Sequence, residues 1–258
     1  MNRIHTLFRN KPRNILSIYF AAGYPQPDQT KNIIRELDSA DVDMIEIGMP
    51  FSDPMADGTT IQEANQKALQ NGISISQLFD QLKDIRELTN KPLIMMGYLN
   101  PIFKYGVEKF CYNAQKCGID GLIIPDLPFR EYQTNYKTIF EACHLSMCFL
   151  ITPETSEERI RQIDSLSNGF IYLVTNSGVT GKQLQFDSRK VATLERIANL
   201  GLKTPVLAGF GISNRAGFNT VCKYTNGAII GSGFIRALGD NPQDIPLNIH
   251  QFIKSIVK

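Results

Sequence analysis

The stretch DMIEIGMPFSDPMADGTTIQ, residues 43–62, decides how this chain folds. Alternation through DMIEIG puts Met44, Glu46 and Gly48 on one face and Ile45 and Ile47 on the other, the pattern of a strand. Ile45 and Ile47 suit a face covered by helices, so Glu46 points inward. The segment that follows is held by Pro50, Pro54 and Gly58 and carries two further carboxylates, Asp53 and Asp57. Thr60-Ile-Gln-Glu63 then fits a capping box, with Thr59 beside it, and predicts a helix start. One strand, one polar loop and one helix follow each other here.

The same unit recurs outward in both directions. Apolar, β-branched runs stand at 16–22, 92–97, 121–124, 146–151, 170–174, 205–208 and 228–230, besides 43–48. Between them, ISQLFDQLKDIREL (Ile75–Leu88), RIRQIDSL (Arg159–Leu166) and VATLERIANL (Val191–Leu200) repeat apolar positions at three- and four-residue steps, as helices packed on a sheet do. SADVDMIEIG, CGIDGLIIPD and YTNGAIIGSG share a faint order of helix end, small polar residue and strand. Strict alternation predicts a parallel sheet buried on both faces, and about eight such units close a barrel. An open doubly wound sheet is the runner-up, weakened because the turn after the first strand reads AAGYPQP where a dinucleotide-binding fold carries G-x-G-x-x-G. The expected fold class is therefore α/β, a (β/α)8 TIM barrel with an N-terminal extra helix, in one domain spanning residues 1–258.

Bulk composition agrees. Hydrophobic residues make up 43% and charged residues 20% of 258 positions, enough apolar surface for a core without a metal or disulfide staple. A formal net charge of +2, with Lys and Arg scattered, argues against a nucleic-acid partner. Cys111, Cys117, Cys143, Cys148 and Cys222 include no C-x-x-C pair and read as reduced thiols of a cytoplasmic protein. MNRIHTLFRNKPR has no secretory character and no later run approaches a membrane span, so no membrane association is expected. His5, His144 and His250 never pair on a helical face, which leaves no histidine-built metal site.

In a β/α barrel the chemistry lies in the loops after the strands. An inward Glu46 is costly to desolvate and is kept where it has partners or a task. Asp57 is a natural helix N-cap, but Thr59 and Thr60 fill that role, which leaves Asp57 upstream and free to face the barrel mouth. The loops after the sixth, seventh and eighth strands bring Gly178 and Gly181, Gly209 and Gly211, and Gly231, Ser232 and Gly233. Glycine lets backbone N–H groups approach an anion, and a helix starting at Gly231 aims its positive end at the same spot, so these loops read as a phosphate cup. Asp126 and Asn100 suit turn chemistry, and Cys143, His144 and Cys148 suit packing better than a thiol–imidazole pair.

With those pieces in place the chain resembles the tryptophan synthase alpha subunits over essentially its whole length. The resemblance is carried by AAGYP (21–25), EIGMPFSDPMADG (46–58), GYLNP (97–101), PDLP (125–128), SGVTG (177–181), GFGIS (209–213) and GSGF (231–234), in the family's order. It implies a lyase that cleaves indole-3-glycerol phosphate to indole and D-glyceraldehyde 3-phosphate in L-tryptophan biosynthesis. Glu46 and Asp57 match its catalytic acids. Tyr19, Tyr172, Thr180, Gly181, Phe210, Gly211, Gly231 and Ser232 match its substrate-binding positions. The resemblance further implies no cofactor on this chain, pyridoxal phosphate only on a partner beta subunit, and an α2β2 heterotetramer in which Asp53 and its loop touch that partner. The chain departs from the commonest pattern at Thr59, where a proline usually follows the ADG triplet, and at Asn176, where a basic residue often precedes SG. A stand-alone indole-releasing lyase, a sugar-phosphate isomerase and a non-catalytic regulatory subunit stay open as alternatives. The isomerase gives no reason for the Glu46–Asp57 pair, and the regulatory subunit gives none for keeping both acids.

Overall fold

A computed structural model describes residues 2–174, 188–209, 211–239 and 241–258. Its strands are β1 (Ile15–Ala21), β2 (Met44–Gly48), β3 (Leu93–Met96), β4 (Gly121–Ile123), β5 (Ser146–Met147), β6 (Phe149–Ile151), β7 (Ile171–Val174), β8 (Val206–Gly209) and β9 (Gly227–Ile230). They pair in the order β5-β4-β3-β2-β1-β9-β8-β7-β6, every pair parallel. The two ends of that order, β5 and β6, are consecutive pieces of one segment divided at Cys148, so the sheet closes on itself as a barrel. The fifth expected strand is thus split. Cys148 still donates its N–H to Leu122 across the ladder at 2.9 Å, while the N–H of Met147 is taken by the Asn168 side chain, also at 2.9 Å.

Alternation sorts the strand residues into two apolar layers. Ile18, Phe20, Ile45, Ile47, Met95 and Leu122 face outward and pack with Ile33, Leu37, Leu78 and Phe110 of the surrounding helices. Ile15, Tyr19, Met44, Ile94, Ile123, Cys148, Phe170, Leu207 and Ile229 fill the barrel. Each buried Ile, Leu or Phe contributes about 1.5–3 kcal/mol. The outer layer has far more of them, so it carries most of the fold's stability and the interior can hold polar groups.

The expected N-terminal helix covers Arg3–Asn10 and closes the bottom of the barrel. Asn2 caps it, accepting from the Ile4 N–H at 2.9 Å while its amide donates to the Asp120 carbonyl at 2.7 Å and the Ser146 hydroxyl at 3.1 Å. Ile4 is fully buried. Gly121 makes room for it, since a Cβ there would stand 2.9 Å from Ile4 Cδ1.

Two local expectations differ from the structure. The helix read over 75–88 ends at Leu82, Asp84 turns left-handed at φ +60°, and Ile85–Glu87 forms a separate 3-10 turn. Tertiary contacts override the periodicity: Ile85 is fully buried, and Arg86 reaches away to donate to the Gly118 and Lys91 carbonyls and pair with Asp120. The capping box is not made either. The helix Thr59–Gln70 has Gly58 as its cap with no side-chain bond, and the Thr60 hydroxyl instead accepts from Arg236 at 3.0 Å.

Candidate active site

A cavity of about 390 Å³ opens at the C-terminal ends of the strands. Tyr19 of β1, Asp57 and Gly58 of the loop after β2, Tyr172 of β7, Gly209 and Gly211 after β8, and Gly231 and Ser232 after β9 all line it. A larger hollow of about 570 Å³ lies at the opposite end of the barrel, between Arg3, Asp43, Arg86 and Lys91. Most of its charges are already engaged. Arg3 and Arg86 pair with Asp120, Lys11 pairs with Asp43, and Lys91 donates to the carbonyls of Leu37, Ala40 and Val42 where the helix Thr30–Ser39 ends. The mouth is where polar groups stay available.

Glu46 lies inside the barrel, fully buried, on the face its alternation requires. Ser17 of β1 donates its hydroxyl to Oε1 at 2.6 Å, and Oε2 has no partner among the described residues. Burial pushes the carboxyl up from the usual range to about 7, against the opposing pull of the Ser17 hydrogen bond. The ladder pairs Glu46 with Tyr19, and Ser17 lies two residues earlier on the same strand. The carboxyl is therefore drawn below the cavity floor, toward the N-terminal end of the barrel.

Asp57 sits on the rim, upstream of the helix as its sequence position requires. Burial lifts its carboxyl to about 6, and Tyr98, which donates to Oδ2 at 3.2 Å, pulls the other way. Tyr98 also accepts from the Ala56 N–H at 3.0 Å and stacks on Phe51 with ring centres 5.1 Å apart, which ties the loop to the end of β3.

Tyr19 and Tyr172 lie close enough to both acids to feel their charge. Both hydroxyls are pushed well above the ordinary phenol range, by burial first and then by the negative charges of Asp57 and Glu46, so each stays protonated as a donor. Glycines at the ends of β2 and β8 make this possible. A Cβ on Gly48 would collide with the Tyr19 hydroxyl, and one on Gly209 would stand 2.5 Å from that of Tyr172. Past β8, Gly211 adopts φ +65°, a conformation that favours glycine. Past β9, the helix Ser232–Leu238 begins with Gly231 as its cap and no side-chain bond there. Its first residues line the cavity rim, where no cap side chain accepts from them among the described residues.

Glu46, Asp57, Tyr19, Tyr172, Gly211, Gly231 and Ser232 thus surround one cavity or lie just beneath it. Thr180, Gly181 and Phe210 lie outside the described residues, as do Asn176 and Gly178. Asp126, expected to serve turn chemistry in its own loop, instead reaches across to accept from the Leu99 N–H at 2.8 Å, at the start of the helix Leu99–Tyr105. Sequence reasoning missed two residues that touch the acids. Tyr98 stands in the GYLNP motif at a strand end, where a hydroxyl was a visible signal. Ser17 shares the inward face of Tyr19 by simple alternation, and it was passed over because its strand reads as apolar throughout.

The sequence profile described as tryptophan synthase alpha chain matches residues 6–256. The chain is 50% identical over 256 residues to the tryptophan synthase alpha chain of Bacteroides thetaiotaomicron, covering 98% of this chain and 100% of that protein. It is 55% identical over 241 residues to that of Flavobacterium psychrophilum, covering 93% and 95%. Among solved structures, the tryptophan synthase alpha subunit of Legionella pneumophila superposes with a TM-score of 0.89 at 30% identity, covering 99% of this chain and 97% of that one. A chain of the tryptophan synthase complex from Pyrococcus furiosus superposes with a TM-score of 0.85 at 30% identity, covering 94% and 97%. A barrel with one acid lining its mouth cavity and another buried beneath it, matched end to end by these relatives in sequence and shape, belongs to the tryptophan synthase alpha chain family.

Proposed function

We propose that this chain cleaves indole-3-glycerol phosphate to indole and D-glyceraldehyde 3-phosphate, with Glu46 as the acid/base and Asp57 as the charge stabiliser. One observation carries the reading: two carboxyls whose proton affinity burial raises share a single site, Asp57 lining the barrel-mouth cavity and Glu46 buried just beneath it. Position assigns the roles: Glu46 is held on a rigid strand by Ser17, which suits a proton shuttle, and Asp57 lines the cavity where positive charge on the ring would develop.

Protonated Glu46 gives its proton to C3 of the indole, which leaves positive charge at the ring nitrogen beside the Asp57 carboxylate. The Glu46 carboxylate then takes the proton of the side-chain hydroxyl. That oxygen becomes the aldehyde carbonyl, the C3–side-chain bond breaks, and its electron pair returns to the ring to restore neutral indole. Glu46 ends protonated, so the cycle balances without an external reagent, and we assign the chain no cofactor of its own.

Gly211, Gly231 and Ser232 form the phosphate end of the site, supported by the uncapped start of the helix Ser232–Leu238. Tyr19 and Tyr172 line the indole end, and Thr180, Gly181 and Phe210 join by resemblance. We further propose one domain, a cytoplasmic location, and assembly with a pyridoxal phosphate-bearing beta subunit as an α2β2 heterotetramer. Met55, on the loop that also carries Asp53, is 92% exposed and Phe103 is 65% exposed, apolar groups on the mouth side that suit a partner's cover. The deciding assay is indole release from indole-3-glycerol phosphate, with and without a beta subunit. Release in either condition supports the reading, and none in both rejects it.

A further inference from the structure

We propose that Ser17 is a positioning residue for the cleavage: its hydroxyl anchors one oxygen of Glu46 and leaves the other to carry the mobile proton. The inference rests on Glu46 being the acid/base. Ser17 and Glu46 are both fully buried, and their 2.6 Å bond joins neighbouring strands of the rigid barrel wall. Among the described residues no other donor reaches the carboxyl, because Oε2 has no partner.

The chemistry of a carboxyl gives this asymmetry a consequence. While Ser17 donates to Oε1, that oxygen acts as an acceptor, so the proton of the neutral acid resides on Oε2. Oε2 is also the oxygen not tied to the β1 wall, and so the one free to exchange its proton. Removing the hydroxyl leaves both oxygens equivalent and unanchored, in surroundings that already disfavour charge. A hydrogen bond to a carboxylate stabilises its charged form, so its loss makes the proton harder to release.

The test compares Ser17→Ala and Ser17→Thr with the parent, in complex with a beta subunit for kinetics and as the full chain for titration. Carbon-13 glutamate labelling follows the Glu46 carboxyl directly, its resonance identified by its disappearance in Glu46→Gln. Ser17→Ala is expected to raise the titration midpoint by about one pH unit, the scale of one hydrogen bond to a charged group. The alkaline limb of the turnover profile should rise with it, and kcat at neutral pH should fall about tenfold while KM stays within about twofold. Ser17→Thr restores the hydroxyl and should return midpoint, limb and kcat toward the parent. A midpoint unmoved in Ser17→Ala overturns the positioning role. A midpoint that moves while the limb stays fixed rejects Glu46 as the acid/base and severs Ser17 from turnover.

Discussion

Asp120 at the bottom of the barrel and Glu46 beneath the floor of the mouth cavity are both buried acids, and their surroundings are opposite. Asp120 accepts from Arg3 at 3.0 Å, from Arg86 at 2.5 Å and from the Leu93 N–H at 3.0 Å. Glu46 accepts one hydroxyl and keeps an oxygen without a partner. A saturated carboxylate is fixed in place by its donors, so it serves as a rivet. An undersaturated one keeps a proton near pH 7 and is ready to give it away. The molecule places the first kind where the N-terminal helix must be pinned and the second where the strands open onto a cavity, the division a β/α barrel allows between its two ends.

The sharpest way to break this contrast is Glu46→Gln. We expect kcat to fall by about 10³–10⁴-fold with substrate still bound, since the amide fills the same space and loses only the proton exchange. Single-turnover indole release measures it, and near-parental turnover rejects the role. Asp120→Ala should do the reverse. It strands Arg86, which is mostly buried, and should cost about 3–5 kcal/mol of stability in urea unfolding, while kcat per folded molecule is unchanged.

The third prediction concerns pH. The folded Glu46 carboxyl titrates at about 7 against an ordinary 4.5, so between those values the folded chain holds a proton that the unfolded chain has released. Stability contributed by this group is therefore complete below about pH 4.5, declines as pH rises, and is lost above about 7, a change of about 3 kcal/mol. Glu46→Gln has no such titration, and the Asp57 contribution is common to both proteins and cancels in the comparison. The stability of Glu46→Gln relative to the parent should climb from pH 4.5 to 7 and then level. A gap that does not change with pH means Glu46 pays no desolvation cost.

Much of this architecture is legible in the residues. Ile45 and Ile47 flanking Glu46 give the strand, its facing and the inward acid at once, because a period of two leaves a side chain only two directions. Asp57 is placed correctly, ahead of its helix. A threonine cap is not what frees it, since Thr60 binds Arg236 and Gly58 caps the helix with no side-chain bond. What stays hidden depends on distant partners. The break at Asp84 follows from where Arg86 must reach, and the split at Cys148 from Asn168 occupying the Met147 N–H; no local pattern reports either. Ser17 is the instructive case: one hydroxyl in an apolar strand looks incidental until the neighbouring strand supplies a carboxyl.

A fourth, smaller effect tests the anion end of the mouth. Ser232→Asp puts a negative charge in the first turn of the helix that starts at Ser232, where it favours the helix dipole but repels a phosphate. KM should rise about tenfold with stability unchanged or slightly raised. Unaltered KM argues against a phosphate at that rim.

The smallest expected effect tests the redundancy of the bottom. Arg3 is one of two cations on Asp120, with its side chain 39% exposed against 19% for Arg86. An ion pair with one partner half in water contributes about 0–1 kcal/mol, so Arg3→Ala should lower unfolding free energy by less than about 1 kcal/mol. Arg86 and the Leu93 N–H continue to hold the carboxylate, and no buried charge is left alone. If Arg3→Ala instead costs as much as Asp120→Ala, the anchor is a single essential contact. The bottom acid would then depend on one donor as fully as Glu46 depends on Ser17, and the two ends would differ in the charge of that donor alone.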